Sequence, residues 1–110
     1  MFGSGVINVV GTTPRPEDDE KFNRWYNDHI YSLMKFPAME GATRWRRIGD
    51  DKTYPKYLCV YGFPQPNDFA AYDKSAEFLK AEEERKKFWG GDGFELNWRR
   101  QYERLGTWKR

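Results

Sequence analysis

A histidine, a tyrosine and a tryptophan lie close together near the middle of the stretch from Phe22 to Pro37, and their side chains suit acid–base chemistry on a small molecule. His29 is the only histidine among the 110 residues, and an imidazole exchanges protons near neutral pH. Tyr26 and Trp25 lie one helical turn before it and would bring a phenol and a stacking surface. The cluster predicts that His29 acts as general acid or base, with Tyr26 as its hydrogen-bonding partner and Trp25 as a wall.

The same residues also have a structural interpretation. A single histidine on an apolar helix face is commonly a hydrogen-bonded core residue, and neighbouring rings commonly pack against each other. From the residues alone, both interpretations remain open.

A helix must position this cluster. At about 100° per residue, one face of the stretch is apolar and the opposite face is polar. We expect the helix to begin at Pro16 or Glu17 and to end near Lys35, because Pro37 disfavours helix in the residue before it. The apolar face carries Phe22, Trp25, Tyr26, His29, Leu33 and Phe36.

The remaining elements follow from short β-branched, aromatic or alternating segments bounded by Gly, Pro and Asn. Their order is β-α-β-β-α-β, which predicts one α+β domain over residues 1–110, ferredoxin-like, with a four-stranded antiparallel sheet and both helices on one face. The predicted segments are a strand Val6–Val10, a loop Thr12–Pro16, the first helix, strands Glu40–Ile48 and Lys56–Phe63, a second helix Phe69–Trp89 capped by Asn67, and a strand Phe94–Tyr102.

The strands add candidate binding residues. Asn8 is the polar exception in the apolar run VINVV, and a buried amide needs a hydrogen-bond partner, so it is either a satisfied core residue or a polar group of the pocket. Trp45 would form a second wall. Tyr61 is a candidate whose side of the sheet the sequence does not decide. Cys59 is expected to be a buried, inert thiol.

Composition excludes several classes of function. The net charge is +2 from 19 basic and 17 acidic residues, which argues against nucleic acid as a partner. The chain has one Cys and one His, so we expect no intrachain disulfide, no metal site and no bound cofactor. A long apolar segment and a signal sequence are both absent from the sequence, which predicts no membrane contact and a cytoplasmic location.

The predicted sheet has more apolar surface than its helices can cover. The first and third strands are apolar on both sides, while two helices cover one side only. We therefore expect a homodimer in which two sheets pack face to face as a barrel.

The run FNRWYNDHIYSLMKFPAMEGATRWRR resembles a segment of EthD-like and related dimeric α/β-barrel proteins. Tyr31 and Ala38 depart from that pattern, where the family has Pro and Gly. The residues that match it are Trp25, Tyr26, His29, Pro37 and the pair Arg44–Trp45.

This superfamily includes small-molecule oxygenases, polyketide cyclases and haem-handling proteins. The resemblance implies a pocket between helices and sheet that takes a small hydrophobic or aromatic ligand, and a cofactor-independent enzyme acting on an aromatic or polyketide-like compound. Two alternatives stay open. In one, His29 is the axial ligand of a haem iron, with arginines near the propionates; in the other, the chain is a non-catalytic dimeric binding domain.

Overall fold

The helices form one layer and the strands another. The computed structural model describes residues 3–91 and 93–110. Within those ranges, no helix is long and apolar enough to cross a membrane. The elements are β1 (Val6–Pro14), a 3₁₀ turn (Pro16–Asp18), α1 (Asp19–Leu33), β2 (Gly41–Arg46), β3 (Tyr57–Phe63), α2 (Pro66–Tyr72), α3 (Ala76–Trp89) and β4 (Phe94–Glu103).

The strands form one antiparallel sheet in the order β2-β3-β1-β4. This arrangement confirms the predicted α+β, ferredoxin-like fold. One row of paired residues crosses all four strands as Ala42, Tyr61, Asn8 and Gln101. Their side chains share the face on which the helices pack, so β1 and β3 present Asn8 and Tyr61 to the space beneath α1.

The first strand is longer than the sequence predicted. The segment Thr12–Pro16 was expected to be a loop, but β1 continues to Pro14 and pairs there with Phe94. The extension needs a register shift between Gly11 and Thr12 on the β4 side. Threonine favours strands and proline is accepted at a strand end, so the longer strand agrees with their propensities.

The second predicted helix, Phe69–Trp89, is two helices in the structure. Gln65, not Asn67, is the N-cap of α2, and it forms a capping box with Asp68. Ser75 then begins α3, since its Oγ accepts a hydrogen bond from the backbone N–H of Phe78 at 3.1 Å. A serine N-cap within an apparently continuous pattern therefore separates the two helices.

Aromatic rings fill the layer between helices and sheet. Phe22 on α1 is fully buried, and its ring centroid lies 5.7 Å from Tyr57 and 4.9 Å from Phe94. A second group of rings surrounds Tyr72, which lies 5.2 Å from Phe63. Cys59 is buried between the two groups, and burial raises the pKa of its thiol to about 11, as expected for an inert residue.

A polar network fixes the start of α1 to the sheet. Asp19 Oδ1 accepts hydrogen bonds from Lys56 Nζ and from the Tyr57 hydroxyl, both at 2.8 Å. Partial burial opposes ionisation of Asp19, but these two hydrogen bonds outweigh it and lower the pKa of the carboxyl. Further along α1, Asn23 Oδ1 accepts a hydrogen bond from Arg44 Nη2 at 2.8 Å. The network holds α1 in one position over β2 and β3.

Candidate functional site

A cavity of about 300 Å³ lies between α1, α3 and the helix-covered face of the sheet. This volume is at the lower end of the range for small-molecule sites. Five of the six site residues predicted from the sequence line it, on α1, β1 and β3. They are Asn8, Trp25, Tyr26, His29 and Tyr61.

The sixth residue, Trp45, lies elsewhere. It pairs with Leu58 in the sheet, and alternation along β2 places it on the face opposite Arg44. Its side chain is 56% exposed, and its indole N–H donates to Thr43 Oγ1 at 2.8 Å. Trp45 was expected to be a pocket wall, but in this structure it does not line the cavity.

His29 lies on the helical wall of the cavity. Its ring stacks on Trp25, with centroids 4.5 Å apart and planes 20° from parallel. The imidazole makes no hydrogen bond to any residue that the structure describes, so it lacks the partners expected of a core histidine. Burial lowers the pKa of His29 to about 4; Arg85 contributes in the same direction, whereas Glu82 and Glu84 oppose it. The imidazole is therefore neutral at pH 7 and available to accept a proton.

Two phenols lie deeper in the same cavity. The hydroxyl oxygens of Tyr26 and Tyr61 are 3.1 Å apart and share a hydrogen bond. Burial raises the pKa of both phenols well above the usual value of 10. Both remain protonated near neutral pH, so they can donate hydrogen bonds but cannot act as bases.

Asn8 contributes an amide to the same lining. Its Oδ1 accepts a hydrogen bond from Gln101 Nε2 at 2.9 Å. The polar residue in the apolar first strand is therefore partly satisfied by its cross-strand neighbour while it also lines the cavity.

Charged residues from α3 and β4 complete the lining, and the sequence did not single them out. Arg85 Nη2 pairs with Glu82 Oε2 at 2.7 Å, and Arg99 Nη2 pairs with Asp73 Oδ1 at 2.7 Å. The spacing of Phe78, Glu82 and Arg85 puts them on one helical face, but nothing in the sequence shows that this face turns inward.

Among the residues described, no three His, Cys, Asp or Glu side chains lie together as metal ligands.

Of the known proteins compared with this chain, only solved structures are similar to it. No protein-family model matches the sequence, and no curated protein matches it either. An ethyl tert-butyl ether D (EthD) family protein from Bacillus halodurans is 16% identical, with a TM-score of 0.67 over 91% of this chain and 99% of that one. A variant of SnoaB, a cofactor-independent oxygenase from Streptomyces nogalater, is 15% identical, with a TM-score of 0.65 over 93% and 94%.

The haem degrader MhuD from Mycobacterium tuberculosis, solved with two haems in its active site, is 10% identical, with a TM-score of 0.70 over 94% of this chain and 99% of that one. At these identities the similarity establishes the fold. It confirms, at the level of fold, the resemblance to EthD-like proteins noted in the sequence.

The depressed pKa of His29 gives a direct prediction. We expect the imidazole, followed by its Cε1–H signal in NMR, to titrate near pH 4. Unfolded His29 binds its proton near pH 6.5, so the unfolded state gains a proton first as the pH falls. The free energy of unfolding should then drop by on the order of 3 kcal/mol between pH 6.5 and pH 4, and His29 should not affect it above pH 7.

The His29→Gln variant supplies the control. It should lose this part of the pH dependence in chemical denaturation while keeping the part due to carboxylates such as Asp19. An imidazole that titrates near 6.5 in the folded protein would contradict the buried environment described above.

Proposed function

We propose that the cavity binds a small, flat aromatic or polyketide-like compound and that His29 moves a proton on that compound without a cofactor. One observation carries the proposal: a neutral imidazole, with no protein partner among the described residues, lines a cavity that also presents protonated hydroxyls and an amide. A base and hydrogen-bond donors around one apolar space are the groups needed to remove a proton from a carbon or phenol and hold the resulting oxyanion.

Each residue has a distinct role in this proposal. His29 accepts the proton, and its stacking on Trp25 fixes the plane of the ring. Of the hydrogen-bonded pair Tyr26 and Tyr61, one hydroxyl donates to the other, and the remaining O–H donates to an oxygen of the ligand, since neither phenol ionises near neutral pH. Trp25 and Phe94 offer flat surfaces to the ligand ring.

The comparisons support the proposal indirectly. SnoaB, described as a cofactor-independent oxygenase, shares the fold, and so does an EthD family protein. A fold of this kind supports several chemistries, so the residues of the cavity carry the argument for a proton transfer.

Hydrogen–deuterium exchange of 2-tetralone in D₂O tests the proposal. A base removes a C1 proton, the enolate forms, and solvent returns deuterium, so NMR measures proton transfer alone. We expect the protein to accelerate this exchange and His29→Gln to slow it about 100-fold or more. The rate should be constant from pH 8 to about 5 and fall as His29 is protonated near pH 4.

Tyr31→Phe is the matched control on α1, because Tyr31 is 72% exposed and does not line the cavity; its exchange rate should equal that of the wild type. Equal exchange by wild type and His29→Gln would contradict the role of His29. Saturable binding of 2-tetralone without any exchange would instead favour the non-catalytic binding domain.

Haem binding is the alternative function, and the site offers two features for it. A neutral imidazole is the form that ligates haem iron, and the guanidinium groups of Arg85 and Arg99 line the cavity, where propionates would need cations. MhuD, solved with two haems, shares the fold. Against this function, the cavity is small, and both arginines already pair with carboxylates.

Haemin titration separates the two functions. We expect no saturable Soret shift that depends on His29 when haemin is added to the wild type and to His29→Ala. A shift that the wild type shows and the variant loses would replace proton transfer with haem binding as the function of the cavity.

We also propose that the protein is a homodimer that uses the sheet face without helices. Val9 and Val60 pair at the centre of that face, and Trp45 and Tyr102 on its outer strands are each 56% exposed. In the tail beyond β4, Trp108 is 86% exposed and would reach the second subunit. A stable interface of this kind buries at least about 2,000 Å² in total.

Light scattering after gel filtration measures the assembly. The wild type should have twice the chain mass of 13.2 kDa, and Val60→Asp should reduce it to the mass of one chain by placing a charge at the centre of the face. Leu79→Asp adds the same charge on the outside of α3, where Leu79 is 55% exposed, and should leave the dimer intact. A wild-type monomer would contradict the proposed interface.

A further inference from the structure

The side-chain amide of Asn8 is held at one end only. Asn8 is 2% exposed, and its oxygen accepts the hydrogen bond from Gln101 Nε2 at 2.9 Å. No described residue accepts a hydrogen bond from its nitrogen, Nδ2. Two N–H donors are thus left without a protein partner on a buried residue that lines the cavity.

Strand pairing explains why the oxygen is the end that is held. Asn8 and Gln101 are direct cross-strand partners on β1 and β4, and both side chains lie on the helix-covered face. A planar amide carries its oxygen and its NH₂ group on opposite sides. The contact with Gln101 at the β4 side therefore turns Nδ2 of Asn8 away from β4.

We propose that Gln101 is a positioning residue that sets the hydrogen-bonding character of the cavity. By donating to Asn8 Oδ1, it leaves the NH₂ group of Asn8 for the ligand. The cavity then selects compounds that present an acceptor oxygen at that point: a ketone carbonyl, an enolate or a phenolate. This inference rests on the proposed function, because it takes the cavity to be the ligand site.

The neighbouring hydroxyl agrees with this selection. Tyr61 is the partner of Asn8 on β3, lines the same cavity and remains protonated. When Tyr26 is the donor of the bond between the two phenols, the O–H of Tyr61 is left for the ligand, and donors from two adjacent strands would meet one ligand oxygen. A ligand with an N–H group at that point would leave the Asn8 donors unpaired, and sites that hold buried polar groups discriminate strongly against such mismatches.

Reversing the polarity of residue 101 tests the role of Gln101. A carboxylate accepts hydrogen bonds and cannot donate them. In Gln101→Glu, the new side chain should therefore repel Asn8 Oδ1, accept from Nδ2 and turn the amide over. Amide NMR reports this without any ligand, through the scalar coupling across the hydrogen bond: in the wild type it should link Gln101 Nε2 to Asn8 Cγ, and in Gln101→Glu it should link Asn8 Nδ2 to Cδ of residue 101.

Ligand preference is the second readout. 1-Indanone offers an acceptor oxygen and no donor, whereas indole, also a small bicycle, offers an N–H donor. By calorimetry, the wild type should prefer 1-indanone about tenfold, the ratio that one net hydrogen bond gives. Gln101→Glu should prefer indole, and Gln101→Leu should show little preference.

The matched control is Gln65→Glu, the same exchange at the N-cap of α2, where the side chain accepts a hydrogen bond in either form. It should keep the wild-type preference. A folded Gln101→Glu protein that still prefers 1-indanone, or a wild-type coupling that links Asn8 Nδ2 to Gln101 Cδ, would overturn the role of Gln101 alone. If the wild type binds neither compound, the selectivity and the proposed function are both overturned.

Discussion

The packing of α1 on β3 is the constraint on which the cavity depends. Phe22, fully buried, stacks on Tyr57 at the start of the helix, and Asp19 adds its hydrogen bonds there. One turn further, the Trp25 ring lies 5.5 Å from Phe94 of the sheet, and after another turn no ring of the sheet, in the part of the chain that the structure describes, lies against His29. Leu33 packs the other end of α1 into the core, and the cavity lies beneath the turns between these two ends.

Burial then decides the protonation of the imidazole and of the two phenols in that space. An apolar surrounding disfavours charge, so it lowers the pKa of an imidazole and raises that of a phenol. His29 is neutral, and Tyr26 and Tyr61 are protonated. The charged side chains of the lining, by contrast, are paired, as in the contact of Arg85 with Glu82. The cavity thus presents neutral acceptors and donors, which suits a proton transfer more than the binding of a highly charged ligand.

The sequence predicted α1 well because its apolar residues recur at helical spacing over a long stretch. This spacing placed His29, Tyr26 and Trp25 on one face. The sequence did not show which face of β2 turns toward the helices. Alternation separates Arg44 from Trp45, and hydrophobicity alone would turn the tryptophan inward. In the structure the Arg44 guanidinium lies over the Tyr26 ring, 4.7 Å from its centroid, and donates to Asn23. These specific contacts outweigh the general preference. Similarly, Glu82 and Arg85 lie in the mixed-charge run KAEEERKK, from Lys80 to Lys87. Such a run is typical of a solvated helix face, and which of its residues turn inward depends on where α3 docks.

The two faces of β1 explain why its single buried amide is where it is. Its residues alternate between the helix-covered face, with Asn8, and the face without helices, with Val9. On the second face, the cross-strand neighbours are those of Val9, namely Val60 on β3 and Arg100 on β4. On the first face the amide meets Gln101 across the sheet and an open space beyond. Asn8 in the run VINVV therefore lies on the face that lines the cavity, which is the face we propose as the ligand site.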